Sequence, residues 1–193
     1  SGMTFTPDTN FTGETTLTLT TDDLGNRDDF DSDPLTDTDE LIITVNELND
    51  APVLTFPTAL LTSLEDADFT FTEATGRKIS VTDPDTYGFG GTLKLTLSVD
   101  HGTLKIPDDL GGLPIISGSN GSSAMVVLDT PENLTLSLEG LVYTPPSDFL
   151  DTATISLTAD DQGNSGTGDS LTATGEIKIF HAPSNDVPLL TVP

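Results

Sequence analysis

The sequence predicts an all-β protein, an antiparallel β-sandwich repeated head to tail, and three observations predict it: a strand-like residue pattern, regular turn punctuation and internal repetition. Apolar residues alternate with Thr, Ser or Lys at 17–19, 43–45, 93–99, 155–157 and 177–179, the period of two that gives a strand one buried and one wet face. Thr is abundant throughout, as suits β-branched strand residues. Clusters of Gly, Asn, Asp and Pro punctuate those runs at 23–26, 83–85, 88–91 and 161–164, as turns require.

The third observation is internal repetition. Residues 2–26 match residues 140–164 at a constant offset, with Gly2/Gly140, Thr6/Thr144, Pro7/Pro145, Phe11/Phe149, Leu19/Leu157, Asp22/Asp160, Asp23/Asp161, Gly25/Gly163 and Asn26/Asn164 as identical pairs. After a two-residue change in a loop, residues 49–55 match 185–191. A period of one domain follows. Residues 1–50 are expected to be the C-terminal part of a preceding sandwich repeat, 51–186 a complete repeat, and 187–193 the start of the next repeat or a linker. The chain is expected to open partway through a repeat, as an excerpt from a longer tandem array.

Along the chain, the hairpin around residues 17–45 encloses an acidic stretch at 28–40. Asp29, Asp31, Asp33 and Glu40 occupy positions 1, 3, 5 and 12 of an EF-hand loop, but position 6 is Pro34 where that turn needs Gly, and no helices flank it. A solvated acidic hairpin loop is the expectation there. Gly88-Phe89-Gly90-Gly91 lacks the Lys and following helix of a phosphate loop. Thr130-Pro131-Glu132 starts the single helix candidate, with an N-cap Thr, Pro at the first position and acid in the first turn. It is expected to run one or two turns, and residues 134–138 read equally as strand. His101 and His181 are expected at the surface, with no nucleophile beside them in a recognised order. Asn10, Asn120 and Asn133 stand in Asn-x-Ser/Thr sequons.

Composition removes several functions. The 193 residues carry 32 acids against 6 bases, a net charge of −26, so nucleic acid has no cationic footprint to bind. The chain has no cysteine, which excludes disulfides, thiol chemistry and Cys-ligated zinc. No apolar run approaches the roughly 18 residues of a membrane span, so no membrane insertion is expected in this segment. Oxygen-rich, sulfur-free chains favour hard cations.

Residues 41–54, with the strings at 17–26 and 141–150, resemble the cadherin-like or VCBS-type repeats of large extracellular adhesins. The shared order is an Asn-Asp-x-Pro linker, a Glu-Asp, Ile-Ser-Val-Thr-Asp-Pro-Asp, His-Gly-Thr-Leu, Gly-Leu-Val-Tyr-Thr-Pro and Asp-Asp-x-Gly-Asn. The resemblance implies Ig-like sandwiches joined end to end, often with Ca²⁺ at the junctions, acting as spacers or adhesion modules. It carries over as metal ligands Asn49 and Asp50 of the linker, Asp83 and Asp85, and one of Asp160 and Asp161. The linker also offers Glu47. By the same analogy Glu65 crosses the sandwich to serve the following junction beside Asn185 and Asp186, or it serves its own. The alternative for Asp83-Pro84-Asp85 and Asp160-Asp161 is an ordinary Asx turn.

The expected function is therefore non-enzymatic: a calcium-stiffened extracellular or cell-surface spacer or adhesion module. Its expected partners are neighbouring repeats of the same chain, and a cell-surface or glycan ligand. The rival is a ligand-binding module for a glycan, ice or a protein, using the loop region at 105–130.

Overall fold

The computed structural model describes residues 2–25, 34–86, 91–107, 115–163 and 166–188. The chain divides into two compact units, Ser1–Leu48 and Asn49–Pro193.

The first unit is a hairpin of β1 (Gly13–Asp22) and β2 (Thr36–Val45), antiparallel with Leu17 opposite Leu41. Asp22 and Asp23 make its turn: Asp22 Oδ1 accepts the Leu24 N–H, and Asp23 Oδ1 accepts those of Gly25 and Leu35. Because β2 begins at Thr36, Asp37, Asp39 and Glu40 are strand residues, with Glu40 opposite Thr18. This corrects the expectation of an acidic loop reaching residue 40. The Thr-rich alternation of both arms continues the ladder into that stretch, and pairing stops only at Thr36. Asp28, Asp29, Asp31 and Asp33 lie outside the described residues.

The second unit is an all-β sandwich. Its strands are β3 (Val53–Thr55), β4 (Leu61–Leu64), β5 (Phe69–Thr70), β6 (Ser80–Thr82), β7 (Leu93–Val99), β8 (Thr103–Lys105), β9 (Ile115–Gly118), β10 (Ala124–Asp129), β11 (Val142–Thr144), β12 (Thr152–Asp160) and β13 (Thr172–Ala182), and helix α1 (Pro131–Leu138) precedes β11. One sheet has the order β4-β13-β12-β7-β10-β9; smaller sheets are β5-β11-β8 and β3-β6. Among the described strands all pairings are antiparallel except β4 beside β13, which is parallel. The core takes the alternate positions of the long strands: Leu93, Leu95 and Leu97 of β7, Ile155 and Leu157 of β12, and Ile177 and Ile179 of β13, against Phe71, Leu104 and Tyr143 from the other layer. Burying such side chains is worth about 1.5–3 kcal/mol each, which explains why alternation predicts these strands.

Helix α1 settles residues 134–138. Thr130 caps it by accepting the Asn133 N–H, and Pro131 occupies its first turn. Leu134 and Leu138, four residues apart, are buried, while Leu136 is exposed. A strand would have put all three leucines on one face; the helix sends Leu136 to solvent and the other two into the core.

His181 is fully buried, which corrects its expected surface position. It continues the inward face set by Ile177 and Ile179, and its ring meets Tyr143 and Phe149 at 5.5 and 5.3 Å between centroids. His101 keeps the exposed place, its ring stacked on that of Phe149 at 4.8 Å between centroids.

The two units hold the same hairpin. Leu17 opposite Leu41 corresponds to Ile155 opposite Ile177. In the second unit Asp160 Oδ1 accepts the Gln162 N–H, and Asp161 Oδ1 accepts those of Gly163 and Leu171, as Asp22 and Asp23 do in the first. The turn residues share the left-handed conformation, Leu24 and Gln162 at φ 54° and 59°, Gly25 and Gly163 at 65° and 64°.

Candidate metal centre

Five of the residues singled out in the sequence gather at one pole of the second unit. Asn49 is buried, and its Nδ2 donates to Asp161 Oδ2 at 2.7 Å and to the Asp169 carbonyl at 3.0 Å. The Asp50 N–H donates to Asp85 Oδ2. The Asp85 N–H donates to Asp83 Oδ1 at 3.0 Å, closing the Asx turn that Asp83 starts and Pro84 spans. Asp161 reaches this pole because it directly follows β12, and two backbone N–H groups fix its Oδ1.

The cluster is dense in negative charge. Asp83, Asp85 and Asp161 are 5%, 6% and 2% exposed. Burial pushes the Asp83 carboxyl above its usual range, the Asp85 N–H opposes this, and the carboxylates of Asp85, Asp161 and Asp50 push it further up. Lysines 78, 94 and 178 are engaged with Glu73, Asp160 and Glu176, so none of these three lysines balances the cluster. Among the described residues, two oxygens here are buried with no hydrogen-bond partner: Asn49 Oδ1 and Asp83 Oδ2. An ordinary Asx turn has no reason to bury such atoms, since each unsatisfied polar group costs about 1–3 kcal/mol. Hard amide-carbonyl and carboxylate oxygens in this number suit Ca²⁺, which takes 6–8 oxygen ligands.

Asp160 faces elsewhere. Its carboxylate pairs with Lys94 and accepts from Ser170 Oγ at 2.7 Å, and these partners hold it below the usual carboxylate range. The Asp161 N–H still donates to the Leu171 carbonyl just past β12, and successive residues of extended chain point to opposite faces, so Asp161 joins the cluster while Asp160 does not. Glu47 belongs to the first unit and is partly exposed.

Glu65 belongs to the opposite pole. It follows β4, whose Leu64 pairs with Ala182 at the far end of β13, and its buried carboxylate accepts the Ser184 N–H at 2.7 Å. Glu65, Asp66, Asp148 and Asp186 bring one carboxylate oxygen each within 4.8 Å of one another. The Asp148 N–H donates to Asp66 Oδ1 at 3.0 Å. Of the two alternatives read from the sequence, Glu65 thus sits with Asp186 of the following linker motif. Asn185 precedes Asp186 and is exposed. Asp148 was missed in the sequence; its one signal is the Ser-Asp turn that matches Thr9-Asn10, both Asn10 and Asp148 being left-handed at φ 58° and 56°.

Other expectations fall elsewhere. Asn120 closes a loop by pairing both amide atoms with Ile106, N–H to Oδ1 and Nδ2 to carbonyl, at 2.8 Å each. In the proposed ligand-binding region at 105–130, residues 108–114 lie outside the described residues, as do 87–90 of the Gly-rich stretch and 189–193. Among the described residues no helix is long and apolar enough to cross a membrane.

No family model matches the chain, and no curated protein matches it. Among solved structures it is similar to the protocadherin GammaB4 extracellular domain, at 16% identity and a TM-score of 0.38, over 88% of this chain and 22% of that one. It is also similar to a chain from the structure described as manganese lipoxygenase of Gaeumannomyces graminis with a partial structure of zonadhesin of Komagataella pastoris, at 12% identity and a TM-score of 0.29, over 83% of this chain and 56% of that one.

Proposed function

We propose that this chain is a non-enzymatic spacer or adhesion module of an extracellular or cell-surface protein, stiffened by Ca²⁺ bound at the two poles of its sandwich. The observation that carries the reading is the pair of buried, partnerless oxygens, Asn49 Oδ1 and Asp83 Oδ2, in a cluster holding four aspartates. Asn49, Asp50, Asp83, Asp85 and Asp161 would hold the ion at the first pole. Glu65, Asp66, Asp148 and Asp186 would contribute to one at the other.

The placement of the two linker motifs supports this. Asn49-Asp50 sits at one pole and Asp186 at the other, and the two motifs are one repeat apart in sequence. In a head-to-tail array Asp186 stands to the next repeat as Asp50 stands to this one. Each junction would then combine a linker aspartate, the Glu65 group of one repeat and the Asp83 group of the next. Two carboxylates 4 Å apart repel by about 1 kcal/mol in water and about 4 kcal/mol at an effective dielectric of 20. A shared divalent ion reverses that sign, so a flexible junction becomes a fixed one.

Calorimetry with Ca²⁺ and with chelator tests the proposal, because a ligand that binds only the native state raises the melting temperature. Small-angle scattering of several such repeats in tandem supplies the second measure: the maximum dimension should grow and sharpen with Ca²⁺. An identical melting temperature and identical dimensions in both conditions would sink it.

A further inference from the structure

The first unit presents an apolar sheet face whose equivalent in the second unit is covered. Leu157 and Ile177 are 1% and 0% exposed; their counterparts Leu19 and Leu41 are 47% and 55% exposed. Tyr143 is fully buried, whereas its counterpart Phe5 is 47% exposed. These are the same hairpin in the same register, so the difference lies in what packs on it.

The second unit shows what does. Strand β7 lies along the edge of β12, with Ile155 opposite Val99, Leu157 opposite Leu97, Ala159 opposite Leu95 and Asp160 opposite Lys94. Its Lys94 forms the ion pair with Asp160. In the first unit β1 pairs with β2 alone among the described strands, so its other edge is an open row of backbone donors and acceptors, and such edges recruit strands. Charge complementarity repeats as well: Asp22 is the counterpart of Asp160, and its Oδ1 makes the same turn bond.

We infer that the β1–β2 hairpin is a docking surface for the front segment of a further repeat of this kind, a polypeptide with the character of residues 51–139. Its β7-like strand runs antiparallel to β1 with the residue equivalent to Leu97 opposite Leu19, that equivalent to Val99 opposite Leu17, and a lysine opposite Asp22. Leu19, Leu41 and Phe5 then become core residues, as Leu157, Ile177 and Tyr143 already are. This inference does not depend on calcium.

The test joins residues 51–139 ahead of Gly2 in the full chain, so that Glu139 runs into Gly2 as it runs into Gly140. Amide exchange of β1 is compared with that of the 193-residue chain, and mass is followed by light scattering. The β1 amides that face away from β2 should exchange roughly a hundredfold more slowly in the extended chain, which stays monomeric. Lys94→Glu in the added segment should reduce that protection, and Asp22→Lys should restore it, a reversal that unspecific sticking of apolar faces does not produce. Unchanged β1 exchange overturns the inference. So does a dimeric 193-residue chain with β1 already protected, because the face would then be filled by a second copy.

Discussion

Asn49 and Asp161, 112 positions apart, meet at 2.7 Å between Nδ2 and Oδ2, and the bond commits the amide's donor side while its Oδ1 stays buried and unpartnered. A linker residue is thereby locked onto the turn that follows β12, and the acceptors left over share a pole with Asp83.

Asp83→Asn separates a metal site from an ordinary turn by the sign of its effect. The Asp83 carboxyl is held above its usual range by burial and by three neighbouring carboxylates. A raised acid stabilises fully below its unfolded value of 3.8 and loses that contribution as pH rises through the folded value. At neutral pH in chelator the substitution should therefore stabilise the protein by about 1 kcal/mol, or about 2–4 °C in melting temperature. In millimolar Ca²⁺ the order should invert, because the variant has lost a ligand. Differential scanning calorimetry in both conditions reads the crossing; a variant that shifts both curves equally speaks against a bound ion.

Glu65→Gln addresses the other pole without disturbing the backbone, since the Gln carbonyl still accepts the Ser184 N–H that Glu65 holds at 2.7 Å. The nine residues of β12 separate the two clusters by roughly 30 Å. Effects at such a distance add. The double variant with Asp83→Asn should lose the sum of the two calcium-dependent stabilisations within about 0.5 kcal/mol. Isothermal titration should likewise lose one binding event per substitution. A double variant that behaves like either single one contradicts two separate sites.

The strands and the acid pole were legible for one reason each. Residues 93–99, 155–157 and 177–179 alternate strictly, and the structure buries their apolar positions on one core. Asp50, Asp83, Asp85 and Asp161 sit in turn motifs whose ends the strand directions bring to one pole. What stayed hidden depended on long-range contact. Asp148 joins Asp66 through a bond spanning 82 positions, and nothing local marks it beyond its turn. Residues 134–138 alternate like a strand, yet the cap at Thr130 and the burial of Leu134 and Leu138 make them helix. His181 was readable from its period with Ile177 and Ile179, had its polarity not outweighed its position.

Asp160 predicts an acid-side dependence of the opposite sign to Asp83. Its bonds with Lys94 and Ser170 hold its carboxyl below the usual range, with burial opposing them. A lowered acid gives stability that is present above the unfolded value of 3.8 and is lost as pH falls through the folded one. Asp160→Asn should remove that contribution at neutral pH and flatten the difference from wild type in strong acid, once pH is below the folded value. Urea titrations across the acid range measure it. A difference curve that grows on acidification would contradict the Lys94 pairing.

Tyr143 supplies the alkaline counterpart. Its ring is fully buried and its hydroxyl has no hydrogen-bond partner among the described residues, and burial, with Asp100 adding to it, pushes its pKa up from 10.0 to about 12. Replacing Tyr by Phe keeps the ring against His181 and removes the unsatisfied oxygen, so at neutral pH the variant should match wild type or gain up to about 1 kcal/mol. The phenol ionises more readily in the unfolded chain than in the native one. Its contribution is therefore complete below pH 10 and declines as pH climbs toward about 12. Tyr143→Phe lacks that decline, and the gap between the two proteins should shift in the variant's favour over this window. Denaturant melts at neutral pH and at two points across that alkaline window decide it: a variant that loses several kcal/mol at neutral pH would mean that the hydroxyl has a partner after all, and that the layer around His181 is built on it.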